Sequence, residues 1–133
     1  MSECKGRLPL FVDACLLLGS AVHLPPIFQH VLLNAAFCAG LGCPASAYVV
    51  CAGVGTVGLV DGDAVERSNL HRQILHSPGR IGVPKVTSAA LALKALAPSC
   101  NIVEHNEFLT SDNARALVRL YDCVLDCTDN AGV

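Results

Sequence analysis

Charge is what this chain has least of. No Asp, Glu, Lys or Arg occurs between Ala14 and Val60, and charged residues make up 15% of the whole. Such a half stays in solution only by packing against something. The formal net charge of −2 removes any electrostatic case for wrapping nucleic acid or lying on an anionic membrane. Long apolar runs are missing too. His23, Pro25, Pro26, Gln29, His30 and Asn34 interrupt the uncharged half, so nothing approaches the ~18 residues of a membrane span. Lys5 and Arg7 followed by LPLFVDACLLLGSAV loosely resemble a signal peptide, but Asp13 breaks its apolar centre. A cytoplasmic protein is expected. There is no CxxC pair among the eight cysteines, which removes the strongest zinc signal. Most of them lie in apolar segments, as reduced thiols acting as small hydrophobes would. No internal repeat is present.

What is there is a folded composition, 53% hydrophobic over 133 residues, the size of one domain. Residues 43–52 read as a helix of small and apolar side chains, with Pro44 tolerated in its first turn and Gly53 and Gly55 stopping it. Residues 57–61 read as a buried parallel strand ending in an acid, Asp61. Residues 68–75 suggest one short helical piece, with Leu70 as its anchor in the core. Pro84 opens a helix whose apolar positions Val86, Ala89, Ala90, Leu93 and Leu96 keep a 3.6 period, and Pro98 ends it. Residues 101–104 begin a strand. Thr110 is a candidate N-cap for a helix over 111–120 with Ala114, Leu117 and Val118 inward. Residues 121–126 form the last strand, and residues 31–37 can serve as the first. Residues 1–30 show no clean periodicity. This alternation predicts an α/β fold, a Rossmann-like parallel sheet with flanking helices, of about four strands.

Chemistry gathers where such a sheet binds ligands, beyond the carboxyl ends of its strands. A turn containing Gly40 and Gly42 precedes the first helix, where backbone N–H groups meet phosphates. Asp61 stands nineteen residues after Gly42, near the ~20-residue offset of an acid that accepts ribose hydroxyls. Asp63 reads as a solvated loop acid. Ser68, Asn69 and Arg72 supply hydrogen-bonding groups and a planar fork for phosphoryl oxygens. Lys85 opens a helix, where a cation opposes the dipole unless an anion is near. Asp126, Asp129 and Asn130 follow the last strand, and Asp126 can also cap the next turn.

The strings GLGCP (40–44), SNLHR (68–72), GVPK (82–85) and DCTDN (126–130) resemble the adenylating enzymes related to ubiquitin activation, the ThiF and MoeB group. They are similar in particular to the eukaryotic molybdopterin-synthase sulfurylase type, an adenylyltransferase and sulfurtransferase. The resemblance implies ATP-dependent adenylylation of the C-terminal carboxylate of a ubiquitin-like sulfur-carrier protein. The product is a thiocarboxylate for molybdenum-cofactor synthesis and tRNA wobble-uridine thiolation. It implies ATP and Mg2+ as cofactors. Gly40, Asp61, the Ser68–Asn69–Leu70–His71–Arg72 segment, Lys85, Asp129 and Asn130 would line the nucleotide, with His71 at the variable place. Arg72 and Lys85 would carry the catalytic charge, and Asp129 would bind the metal. Departures from the family stand at Phe37 and Ala39, where its GxGGLG loop has glycine, and in the absence of its N-terminal arginine segment, zinc cysteines, sulfur-handling cysteine and rhodanese domain.

Residues 1–39 are therefore expected to form a divergent segment including a possible first strand, and residues 40–133 a partial ThiF-type nucleotide-binding domain. A truncated form, weak or inactive alone, follows as an expectation. Expected partners are the carrier and a second subunit, as a homodimer or with a full-length enzyme, without direct nucleic acid or membrane contact. A non-catalytic interaction fragment and an NAD-binding domain are the alternatives.

Overall fold

The computed structural model describes residues 10–13, 29–34 and 40–128. Within them five parallel strands, β1 (Leu10–Asp13), β2 (His30–Asn34), β3 (Thr56–Val60), β4 (Asn101–His105) and β5 (Cys123–Asp126), lie in the order β1-β5-β2-β3-β4. Three helices accompany them: α1 (Gly42–Cys51), α2 (Lys85–Leu96) and α3 (Ala114–Val118). The parallel α/β sheet expected from the sequence is what forms.

Strand alternation sorts the core onto two faces. Val31, Leu33, Val57, Leu59, Cys123 and Leu125 point to one face, where Val49 and Val50 of α1 and Val86, Ala89 and Leu93 of α2 cover them. Leu32, Val60 and Val124 point to the other, under Leu117 of α3 and Tyr121. Helices on both faces make this a doubly wound sheet, with its ligand crevice at the carboxyl rim. Gly58 is required on the second face, since a Cβ there would lie 2.2 Å from the Tyr121 hydroxyl. That hydroxyl is held 2.8 Å from His105 Nε2. At the opposite rim the Asp122 carboxylate accepts the His30 N–H at 2.9 Å, pinning β2 beside β5. No helix among the described residues is long and apolar enough to cross a membrane.

Several local expectations change. Leu10–Asp13 is a strand, pairing Leu10 with Cys123 and Asp13 with Asp126. It occupies the slot a doubly wound sheet usually gives to its next downstream strand. The first central strand is His30–Asn34, and the rest of the 31–37 segment, Phe37 included, lies outside the described residues. The 68–75 piece is not one helix: a 3-10 turn covers Arg67–Asn69 and irregular turns follow. Its anchors are Gln73, Leu75 and His76, all buried, while Leu70 is half-buried. α3 is shorter than 111–120: it starts after Asn113, which makes no capping bond to the helix and instead accepts through Oδ1 from the Thr110 N–H at 2.7 Å. Leu96 is exposed at the end of α2.

Candidate functional site at the carboxyl rim of the sheet

The rim is built by the connections that follow β2 and β3. After β2 the chain turns through Gly40, whose φ of +80° suits glycine. It then enters α1 with no capping side chain at Leu41 and no acid in the first turn. After β3 comes the loop carrying Asp61 and Asp63. The connection to α2 passes through the 3-10 turn, Arg72 and Gln73, and a second 3-10 turn at Pro78–Arg80. A helix start without a capping side chain or an acid in its first turn is a setting that favours anions.

Gly40 and Arg72 meet directly. A Cβ on Gly40 would stand 3.4 Å from the Arg72 Cβ and Cγ atoms, so the absence of a side chain lets the arginine stem lie over the turn. The guanidinium donates from Nη2 to Asn69 Oδ1 at 3.0 Å and lies 3.4 Å from His71 Nε2. Arg72 and His71 are exposed and Asn69 is half-buried. Ser68 is exposed and donates to Glu66 at 3.2 Å. This arm is a polar surface held in shape by its own hydrogen bonds.

The second arm is buried. Asp61 is 3% exposed and its Oδ1 accepts the Asp63 N–H at 2.7 Å. Asp61 is thus an enclosed acid at the end of β3. Lys85 is 1% exposed, and its Nζ donates to Asp63 Oδ2 at 3.0 Å. A surface lysine is excluded, and Asp63 is a structural partner where a solvated loop acid was expected. Both charges act on Cys43 in the first turn of α1. Burial pushes that thiol up to about 11, with Lys85 pulling it down and Asp61 raising it. Asp61 and Lys85 are joined through Asp63, which donates its N–H to the one and accepts from the other.

Two further groups were not assigned from the sequence. Gln73 is fully buried, and neither its Oε1 nor its Nε2 has a hydrogen-bond partner. His76 is buried with Nδ1 2.8 Å from Ser88 Oγ, and its pKa is pushed down to about 4 by burial first and then by the Lys85 and Arg80 charges. Polar types inside an otherwise apolar turn were the available signal. Asp126 is exposed and accepts the Thr128 N–H at 3.0 Å, the turn cap anticipated for it. Asp129 and Asn130 lie outside the described residues, as does Ala39.

Among the described residues no group of three or more His, Cys, Asp or Glu is placed to hold a metal. Cys43, Cys100, Cys123 and Cys127 are buried and Cys51 is exposed; burial raises the pKa of Cys123 to about 11. The donor set suits a nucleotide instead. Arg72 lies over the Gly40 turn, Asp61 and Lys85 are linked through Asp63, and the buried Gln73 amide, unsatisfied among the described residues, is what a bound polar group would complete.

A model described as the ThiF family matches residues 38–133. The adenylyltransferase and sulfurtransferase MOCS3 of Drosophila willistoni is 56% identical over 91 residues, 68% of this chain and 20% of that protein. The adenylyltransferase and sulfurtransferase uba4 of Pyricularia oryzae is 57% identical over 91 residues, 68% of this chain and 19% of its own length. The chain thus spans about one fifth of the curated relatives it matches. Among solved structures, E. coli tRNA N6-threonylcarbamoyladenosine dehydratase, TcdA, in complex with ATP, superposes with a TM-score of 0.71 at 26% identity, covering 77% of this chain and 42% of that one.

Proposed function

This chain belongs to the ThiF family, and on that premise we propose that its carboxyl rim holds ATP as the substrate of an adenylyl transfer. The acceptor is the C-terminal carboxylate of a ubiquitin-like sulfur-carrier protein, toward the thiocarboxylate used in molybdenum-cofactor synthesis and tRNA wobble-uridine thiolation. The observation that carries this reading is the Arg72 stem lying over the Gly40 turn ahead of the uncapped start of α1, with Asp61 and Lys85 tied to one another through Asp63.

Each residue has a defined task. Asp61, fixed by the Asp63 N–H, accepts from the ribose hydroxyls. Gly40 and the first N–H groups of α1 let the phosphates approach the backbone. Arg72, oriented by Asn69, offers a planar fork to phosphoryl oxygens, and Lys85 adds a point charge. Together they offset the repulsion between a carboxylate and a polyphosphate, the main barrier when two anions must meet. No general base is required, because a carboxylate is ionised near neutrality. Asp129 would hold a Mg2+ ion and Asn130 would contact the nucleotide, and the ion when bound would neutralise further charge on the phosphates. The partner subunit is a second copy or a longer family member.

Calorimetry with MgATP tests this reading. Uptake that Arg72→Ala weakens at least tenfold is the expected result. No uptake by the folded chain at millimolar ligand overturns it.

A further inference from the structure

Lys85 is the largest fully buried side chain among the described residues, at 1% exposure. A side chain so enclosed cannot touch a phosphate arriving from solvent in the conformation it holds. Its ammonium also sits at the start of α2, where the helix dipole opposes a positive charge. What keeps it there is a clip between two loops. Ala64 bridges Pro84 in antiparallel fashion, the Val65 N–H donates to Val83 O at 2.8 Å, and the Gly82 N–H donates to Val65 O at 2.9 Å. Asp63 closes the clip at both ends of the lysine. Its carbonyl accepts the Lys85 N–H at 2.9 Å, and its carboxylate accepts from Nζ at 3.0 Å.

The two members of this ion pair differ. The Asp63 side chain is 37% exposed and the Lys85 side chain 1%. Water can take over from the lysine as a partner for the carboxylate. The ammonium has no such route, because an enclosed charge is tolerated only while it is paired. The mobile member is therefore the acid.

We propose that Asp63 is a counter-ion gate for Lys85. It keeps the ammonium stowed beneath the rim, and a polyphosphate replaces it as the lysine's partner while the carboxylate turns to solvent. This rests on the rim being a polyphosphate site. Only an anion of high charge density displaces a carboxylate already in place, so the gate favours polyphosphate over singly charged anions. Asp63 acts through Lys85 and is a positioning residue.

Two measurements on the full chain decide it. Reductive methylation, read by peptide mass spectrometry, reports the accessibility of Nζ. Lys85 is expected to react at least tenfold more slowly than the exposed Lys94. Asp63→Asn should raise the Lys85 rate at least threefold, and Asp63→Glu should restore protection. Calorimetry with inorganic pyrophosphate and Mg2+ should show Asp63→Asn binding threefold to tenfold tighter than wild type, with Lys85→Met removing that gain. Lys85 reacting as fast as Lys94 in the wild type overturns the proposal, and this stands even if Asp63→Asn does not fold. Equal or weaker pyrophosphate binding by a folded Asp63→Asn also overturns it. If neither chain takes up pyrophosphate, the polyphosphate reading of the rim falls, while the methylation rates separately decide whether Asp63 restrains Lys85.

Discussion

The two arms of the rim are built on opposite principles. The Asn69–Arg72 arm lies in solvent, ordered by short-range hydrogen bonds within one turn. The Asp61–Asp63–Lys85 arm is enclosed and ordered by contacts between loops far apart in the chain. Buried charge is coupled to folding, because removing one partner strands the other away from water. Exposed charge is nearly free of that coupling. One arm therefore answers to stability and the other to binding alone, although both face the same crevice.

The largest effect should come from breaking the enclosed arm. Lys85→Ala deletes a buried stem and removes the ammonium that Asp63 accepts from. We expect a loss of about 2–4 kcal/mol, below the full cost of a fully buried pair because Asp63 is partly solvated. Urea unfolding measures it. A loss of ~0.5 kcal/mol or less, the size of an ordinary surface change, would erase the distinction between the arms.

His76 sharpens the same contrast through pH. It packs beside the first turns of α2 through Ser88, and its pKa is pushed down to about 4 from 6.5, by burial above all. The unfolded chain takes up a proton near pH 6.5 that the folded chain refuses until about pH 4. Stability from this group is thus complete above pH 6.5 and falls as pH drops toward 4. At about 1.4 kcal/mol per pKa unit the total is on the order of 3 kcal/mol. His76→Gln should flatten the stability profile in that window. An unchanged slope would place the acid sensitivity elsewhere.

How much of this was legible in the sequence follows from range. β3 and Asp61 could be read because an apolar run ending in an acid is a local pattern, and α2 because its period is 3.6. The enclosure of Lys85 could not be. Lysine is ordinarily a surface residue, and its partner stands 22 positions earlier across a clip that only the tertiary fold creates. β1 escaped for a similar reason: four residues without periodicity become a strand only because β5 offers an edge. The 68–75 segment had helix-like composition but no helical period, and burying Gln73, Leu75 and His76 while exposing His71, Arg72 and Ile74 suits turns better than a helix. The buried, partnerless Gln73 amide had no sequence signal beyond its type.

Gly40 supports the stem of the exposed arm and should respond at an intermediate level. Its φ of +80° disfavours any Cβ, and the added carbon would press on the Arg72 stem at 3.4 Å. Gly40→Ala should cost about 1–2 kcal/mol in stability, visible as a lowered melting temperature. It should also displace Arg72 and weaken ATP binding. A variant that melts lower yet binds ATP unchanged would show that the turn supports the fold without shaping the site.

Arg72→Ala should have the smallest effect on stability and the clearest effect on function. The side chain is exposed, its hydrogen bond to Asn69 is within one turn, and no charge is left buried when it goes. Stability should stay within about 0.5 kcal/mol of wild type. Affinity for MgATP should still fall at least tenfold, because a fork aimed at phosphoryl oxygens contributes a charge-assisted contact that water does not replace. Unfolding and calorimetry on the same preparation separate the two quantities. If Arg72→Ala destabilises the chain as much as Lys85→Ala does, the exposed arm is part of the folding core after all. If it leaves ATP affinity untouched, the phosphates do not lie over the Gly40 turn, and the enclosed arm alone must account for whatever nucleotide the chain takes up.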